Sequence, residues 1–131
     1  MKFIGINGSP RKTWNTATLL DEALKGAREQ GAETERIDLY DLNFRGCVSC
    51  YSCKRKDGVH GVCAQQDDLT PVLEKIREAD GLIVATPMYY TDISAAVAAF
   101  WERELYSNSI YSNKIPTVFP KSIPVGLIYN M

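Results

Sequence analysis

Lys2-Phe3-Ile4-Gly5-Ile6-Asn7-Gly8-Ser9-Pro10-Arg11-Lys12-Thr13-Trp14-Asn15-Thr16 opens the chain with an apolar run, a broken turn and the start of a new periodicity. Lys2 to Ile6 reads as a buried strand, and Asn7-Gly8-Ser9-Pro10 ends it in a tight turn. From about Asn15 to Gln30 the period changes: Leu19, Leu20, Ala23, Leu24 and Ala27 fall at helical spacing, and Gly31 is placed to end the helix. The alternation then repeats. Thr34 to Leu39 reads as a second strand. Leu69 to Ala79 reads as a second helix, with Val72, Leu73 and Ile76 on its apolar face and Asp67-Asp68 at the positive end of its dipole. Gly81 to Ala85 is a continuous apolar run, as expected of a parallel strand covered on both faces. Asp92 or Ser94 can cap a third helix from Ala95 to about Tyr106, and Val125 to Tyr129 is a last apolar strand. Between them Asn108 to Pro124 holds turn formers and reads as a long connection. Strands alternating with helices imply an open parallel α/β sheet with right-handed crossovers.

Composition is compatible with one globular domain over residues 1–131: 45% of residues are hydrophobic and 24% charged, enough for a real core. A net charge of -1 lacks the basic excess of a phosphate-backbone binder, so nucleic acid is not an expected partner. No stretch approaches the roughly 20 apolar residues of a membrane span, and no targeting segment is visible, so the expectation is a cytoplasmic protein without membrane contact. A reducing compartment keeps isolated cysteines as thiols, and all four here cluster between Cys47 and Cys63. His60 is the single histidine, which leaves Ser-His or Cys-His nucleophilic catalysis little support, and no catalytic acid or base stands out.

In an open α/β sheet the ligand sits beyond the carboxyl ends of the strands, which directs attention to Asn7 to Thr16. Ser9, Thr13 and Thr16 offer hydroxyls, Arg11 and Lys12 offer positive charge, and the first helical turn offers unpaired N–H groups with a favourable dipole. These groups suit a terminal phosphate. The second glycine and the Lys-Ser/Thr pair of a P-loop are absent, as is the G-x-G-x-x-G dinucleotide pattern. The same residues also make an ordinary polar turn with a surface arginine and an Asn or Thr cap.

Gly5-Ile6-Asn7-Gly8-Ser9-Pro10-Arg11-Lys12 followed by Asn15-Thr16 resembles the N-terminal motif of flavodoxin-like NAD(P)H-dependent FMN reductases and the related iron-sulfur flavoproteins. Three further segments agree in order and spacing: Cys47-x-x-Cys50-x-x-Cys53, Cys63 shortly before Asp67-Asp68-Leu69, and Asp80-Gly81-Leu82-Ile83-Val84-Ala85-Thr86-Pro87-Met88-Tyr89-Tyr90. The resemblance implies a flavodoxin-like three-layer sheet in the order 2-1-3-4. It assigns Ser9, Arg11, Asn15 and Thr16 to the FMN phosphate, with Lys12 as a further cation beside it. In this architecture the crevice between the first and third strands holds the flavin. Pro87, Met88, Tyr89 and Tyr90, in the loop expected after the third strand, are thereby assigned to the isoalloxazine wall, a role suited to a proline-fixed loop with two tyrosines. Met88 and one tyrosine could equally be core or rim packing.

Cys47, Cys50 and Cys53 at i, i+3 and i+6 can converge on a metal centre, with Cys63 as a fourth ligand. Four thiolates suit a 4Fe-4S cluster or tetrahedral zinc, and four free thiols remain the alternative. The similar pattern in iron-sulfur flavoproteins has a shorter last gap, so Lys54 to Val62 is a departure that bears on the fourth ligand and not on the first three. His60 lies within it and could replace Cys63 in a zinc site. Lys54, Arg55 and Lys56 would offset the charge of a thiolate-bound centre, or form a solvated run.

The preferred reading is an FMN-dependent redox or electron-transfer protein of iron-sulfur flavoprotein type, with NAD(P)H as a possible donor and a redox partner or small molecule as acceptor. One rival is an NAD(P)H:FMN or quinone reductase without a cluster. Another, of a different class, is a cysteine-rich metal-binding module on a degenerate scaffold. Relatives usually assemble as dimers or tetramers, and Phe100, Trp101, Leu105 and Tyr106 form an apolar group that could be core or face a partner. The flavodoxin-like order also needs a fifth strand and a last helix that do not follow Met131. A neighbouring subunit completing the sheet, or a truncated chain, would account for their absence.

Overall fold

A computed structural model of the chain describes residues 1–111 and 114–131. Strand β1 (Lys2–Asn7) lies between β2 (Glu33–Asp38) and β3 (Gly81–Tyr89), parallel to both, and β3 pairs in parallel with β5 (Val125–Asn130) on its other side. The parallel order is β2-β1-β3-β5, which is the expected 2-1-3-4 arrangement. A two-residue strand, β4 (Asp92–Ile93), turns back antiparallel on the end of β3.

Alternation along the strands divides the core. Ile4, Ile6, Leu82 and Val84 point to one face, where they are buried with Val72, Ile76, Val97 and Phe100 from α2 (Thr70–Glu78) and α3 (Ala95–Asn108). Ala85 on the opposite face is buried with Leu20 and Leu24 of α1 (Asn15–Glu29), and Phe3, Ile83 and Ile128 pack against them. The result is a three-layer arrangement with α1 on one side and α2 and α3 on the other.

Helix α1 stops where Gly31 adopts φ +84°, its N–H donating to Arg28 C=O at 2.8 Å. Leu39 leaves the expected second strand for a short 3-10 turn and remains buried. Ser94, rather than Asp92, caps α3: its hydroxyl accepts the Val97 N–H at 3.4 Å and donates to Gly8 C=O at 2.7 Å. Asp67, just ahead of α2, does more than face that helix's N-terminus. Its carboxylate accepts the Leu69 N–H and forms an ion pair with the fully buried guanidinium of Arg103 at 2.7 Å, tying the cysteine-bearing segment to α3.

The segment expected as a loop after the third strand is a correction. β3 runs on through Thr86-Pro87-Met88-Tyr89, because β5 pairs with it as far as Pro87↔Asn130 and β4 holds Met88 and Tyr89. Pairing with β1 ends at Ala85, so Pro87, which has no N–H to donate, sits where β3 has lost that neighbour. The Asn108–Pro124 connection folds back on α3 through a Ser109↔Thr117 bridge and a Val118 N–H bond to Asn108 C=O at 2.9 Å. Ser112 and Asn113 of that connection lie outside the described residues. Of the apolar group on α3, Phe100 is core, Trp101 is half-buried against it, and Leu105 faces outward.

Candidate functional site

The carboxyl end of β1 is where the chain turns outward toward β2 on one side and β3 on the other, the switch point of an open α/β sheet. Asn7 organises the turn there. Fully buried, its Oδ1 accepts the Ser9 N–H at 3.1 Å, while Nδ2 donates to Asp38 Oδ1 at 2.6 Å and to Ser9 C=O at 3.4 Å. Ser9 Oγ then accepts the Arg11 N–H at 3.1 Å. Gly8 crosses against β3 and α3, donating its N–H to Ala85 C=O at 2.7 Å; a Cβ there would stand 2.1 Å from Val97 Cγ2. Only glycine admits this approach.

The turn delivers its polar groups to α1. The first intrahelical bond of that helix runs from Thr18 N–H to Trp14 C=O, so the N–H groups ahead of it have no helical acceptor. No side chain caps the helix, and its first turn carries no acid. Arg11 extends its guanidinium over the Trp14 ring, 4.6 Å from the centroid, and pairs with no carboxylate among the described residues. Thr16 is buried and donates its hydroxyl to Asn130 Oδ1 at 2.6 Å, joining α1 to the end of β5.

These groups share one cavity of about 270 Å³ with Pro87, Met88 and Tyr89 from the end of β3. Ser9, Arg11, Asn15 and Thr16 give it polar lining, and Trp14, Pro87, Met88 and Tyr89 apolar lining. The first group suits an anion and the second a planar apolar body. Lys12 and Tyr90 are not brought there. Lys12 Nζ turns back to Asp41 at 2.5 Å, and Tyr90, with φ +63°, stands fully exposed at the tip of the β3–β4 hairpin. Trp14, Asn130 and Met131 line the cavity without having been singled out in the sequence. The rule that pointed to loop residues after β1 covers Trp14; nothing local marks Asn130, which arrives only through the β3–β5 register.

The cysteines occupy the segment between β2 and α2. Cys50 is exposed, flanked by Ser49 and Tyr51 in left-handed conformations (φ 53° and 59°), and hydrogen bonds from Ser52 hold its thiol below the ordinary value. Cys53 is buried, which pushes its thiol up; Lys54 opposes the shift, and the proximity of Cys63 and Cys47 adds to it. Cys63 is half-buried beside the Arg103 guanidinium, and the Cys47 N–H donates to Glu102 Oε2 at 3.0 Å. Cys47 and Cys63 thus lie near enough to Cys53 to act on its thiol, while Cys50 is exposed. Among the described residues, no three His, Cys, Asp or Glu side chains are grouped closely enough to hold a metal ion. His60 is exposed. Lys54 Nζ lies over the Tyr106 ring at 4.2 Å and donates to Tyr106 and Ser109 C=O, anchoring this segment to the end of α3.

Comparison with known proteins gives the family. Residues 1–118 match the NADPH-dependent FMN reductase family. An iron-sulfur flavoprotein of Methanocaldococcus jannaschii is 42% identical over 103 residues, covering 79% of this chain and 51% of that protein. Another, from Methanosarcina thermophila, is 35% identical over 118 residues, covering 88% of this chain and 60% of its own length. The chain thus spans about half the length of the curated relatives it matches. Among solved structures, NAD(P)H:quinone oxidoreductase from Methanothermobacter marburgensis superposes with a TM-score of 0.74 at 21% identity, over 98% of this chain and 65% of that one. At that identity the likeness concerns the fold, which is flavodoxin-like. By its match over residues 1–118 and by these relatives, the chain belongs to the NADPH-dependent FMN reductase family.

Proposed function

We propose that the chain carries an FMN-dependent redox and electron-transfer function of iron-sulfur flavoprotein type, with the flavin in the cavity at the β1–β3 switch point. The observation that carries this reading is the meeting, in one cavity, of Ser9, Arg11, Asn15 and Thr16 with Pro87, Met88 and Tyr89. The residues fit the cofactor: uncapped N–H groups and an arginine without a carboxylate partner suit the phosphate, and the end of β3 offers a flat wall. Bound FMN would supply hydride acceptance from a nicotinamide and release of single electrons. The protein's part is positional. Arg11 and the α1 N-terminus hold the anionic end, Thr16 braces that end against Asn130, and buried Pro87 excludes water from one side. With Lys12 engaged by Asp41 and Tyr90 turned outward, neither takes a direct part.

Cys47, Cys50, Cys53 and Cys63 are a donor set suited to a 4Fe-4S cluster, which would pass electrons singly; the four must draw together to hold one. The exposure of Cys50, against the burial of Cys53, favours the second reading, an NAD(P)H-linked FMN or quinone reductase that works without a cluster. A homo-oligomer in the cytoplasm, with a redox protein or a small molecule as acceptor, completes the proposal. The oligomer is supported by the exposed, uncharged strand β5; among the described residues no helix is long and apolar enough to cross a membrane.

Flavin titration tests the reading. The parent chain should bind FMN more tightly than riboflavin, and Arg11→Ala should cost roughly 10- to 100-fold in FMN affinity, the worth of a charge-assisted contact, with riboflavin unaffected. Equal binding of FMN by the parent and the variant would sink the assignment. Iron and acid-labile sulfide in anaerobically isolated protein separate the cluster-bearing form from the cluster-free one.

A further inference from the structure

We propose that Trp14 is a positioning residue for the anionic end of this cavity: its indole face holds the Arg11 guanidinium beside the α1 N-terminus, and its lack of a capping group leaves the first-turn N–H groups to the phosphate. The inference rests on the FMN reading above and assigns a role that reading does not use.

Trp14 breaks two local rules at once. The position before the first helical residue favours Ser, Thr, Asp or Asn, whose side chains accept an N–H from the first turn; tryptophan cannot, and no other side chain caps α1. Trp14 is also 59% exposed, in a chain whose other tryptophan, Trp101, packs against Phe100. A large apolar side chain left in water at a cap position is explained by what touches it. Arg11 lies 4.6 Å from the ring centroid, and both residues line the cavity. The neighbouring cations are neutralised by carboxylates, Lys12 by Asp41 and Arg36 by Asp38 and Asp21, whereas Arg11 is oriented by a π face that leaves its charge uncompensated. An arginine paired with a carboxylate would have to give up that partner to meet a phosphate. One stacked on indole keeps its N–H edge available, with the side chain already ordered.

The test compares FMN with riboflavin, which lacks the phosphate, by flavin fluorescence titration of the parent chain and three variants. Trp14→Ala removes the stack and should weaken FMN binding about two- to five-fold, the worth of an exposed cation–π contact, with riboflavin affinity and melting temperature unchanged. Trp14→Phe retains a flat face and should recover most of the loss. Trp14→Asp supplies a cap and should raise the melting temperature, yet abolish the preference for FMN, because its carboxylate occupies the N–H groups and pairs with Arg11. FMN affinity unchanged in Trp14→Ala, or an FMN preference retained in Trp14→Asp, overturns the role of Trp14 while the cofactor reading stands. Equal losses of both flavins overturn it too, since they would place Trp14 against the ring system. A parent chain that binds neither flavin overturns the cofactor reading and this inference together.

Discussion

Asp67→Asn tests how the cysteine-bearing segment is held to the sheet. Arg103 has no exposed side-chain surface, and its guanidinium spends its hydrogen bonds on that segment: Asp67 Oδ2 at 2.7 Å, Asp67 Oδ1 at 3.2 Å, Arg45 C=O at 3.0 Å and Gln65 C=O at 3.3 Å. Removing the charge of one partner in a buried pair usually costs about 3–5 kcal/mol, because the other charge stays buried without compensation. Here the cost is smaller: Asp67 is 17% exposed, asparagine keeps one acceptor oxygen, and two carbonyls remain on the guanidinium. About 2–3 kcal/mol is expected, which lowers the urea midpoint at pH 7 by roughly 1–2 M with the slope unchanged. The pH dependence follows from the carboxylate. Burial works against the charged form of Asp67, but the Arg103 hydrogen bonds and charge outweigh it and hold the group below the usual carboxylate range. The stabilisation is therefore fully present above the unfolded-state carboxylate pKa and is lost as the pH falls through the lower folded value. Parent and variant should converge in strong acid. Replacing both partners, Asp67→Asn with Arg103→Met, should recover most of the loss, since no charge is then stranded. Coincident urea curves at pH 7, or a difference that persists unchanged in strong acid, would refute the reasoning.

Glu104 gives a trend of opposite sign. It is buried with no partner for Oε2, and burial pushes its carboxyl up to about 7 although Arg77 pulls it down. Stability of the parent should therefore fall by about 1–3 kcal/mol as the pH rises from about 5 to 7, and Glu104→Gln should flatten that slope in thermal melts across the range. Ser94→Ala removes both the α3 cap and the bond to Gly8 C=O and should cost about 1–2 kcal/mol in urea unfolding. Gly8→Ala forces a methyl group against Val97 and the Ala85 carbonyl; it should cost at least about 1–3 kcal/mol and weaken FMN binding, read by flavin titration of the folded fraction.

The parallel strands and the helices between them were legible because each announces itself locally. Ile4-Gly5-Ile6 and Leu82-Ile83-Val84 carry unbroken apolar runs, and Leu20, Leu24 and Ala27 mark one helical face. The polar lining of the cavity was legible for the same reason: Ser9, Arg11, Asn15 and Thr16 are neighbours in sequence, and strand-turn-helix geometry places them together wherever it occurs. Period and spacing are properties of short segments, so a linear reading reaches them.

Contacts between distant segments decided the remainder. Whether residues after Ala85 form a loop or continue the strand depends on β5 pairing as far as Asn130, which arrives more than thirty residues later in the chain. Which of two adjacent cations faces the cavity depends on where Asp41 lies: it claims Lys12 and leaves Arg11 to Trp14. Cys47-x-x-Cys50-x-x-Cys53 marks four thiols as one donor set with Cys63, yet Cys50 lies exposed between two left-handed residues while Cys53 is buried, and among the described residues no three of these donors are grouped closely enough for a metal ion. Residue types and their spacing along the chain thus pointed to the family and to a candidate set of binding and thiol groups. Direction was decided by tertiary contacts, because a side chain's aim depends on charges and strands brought to it by folding.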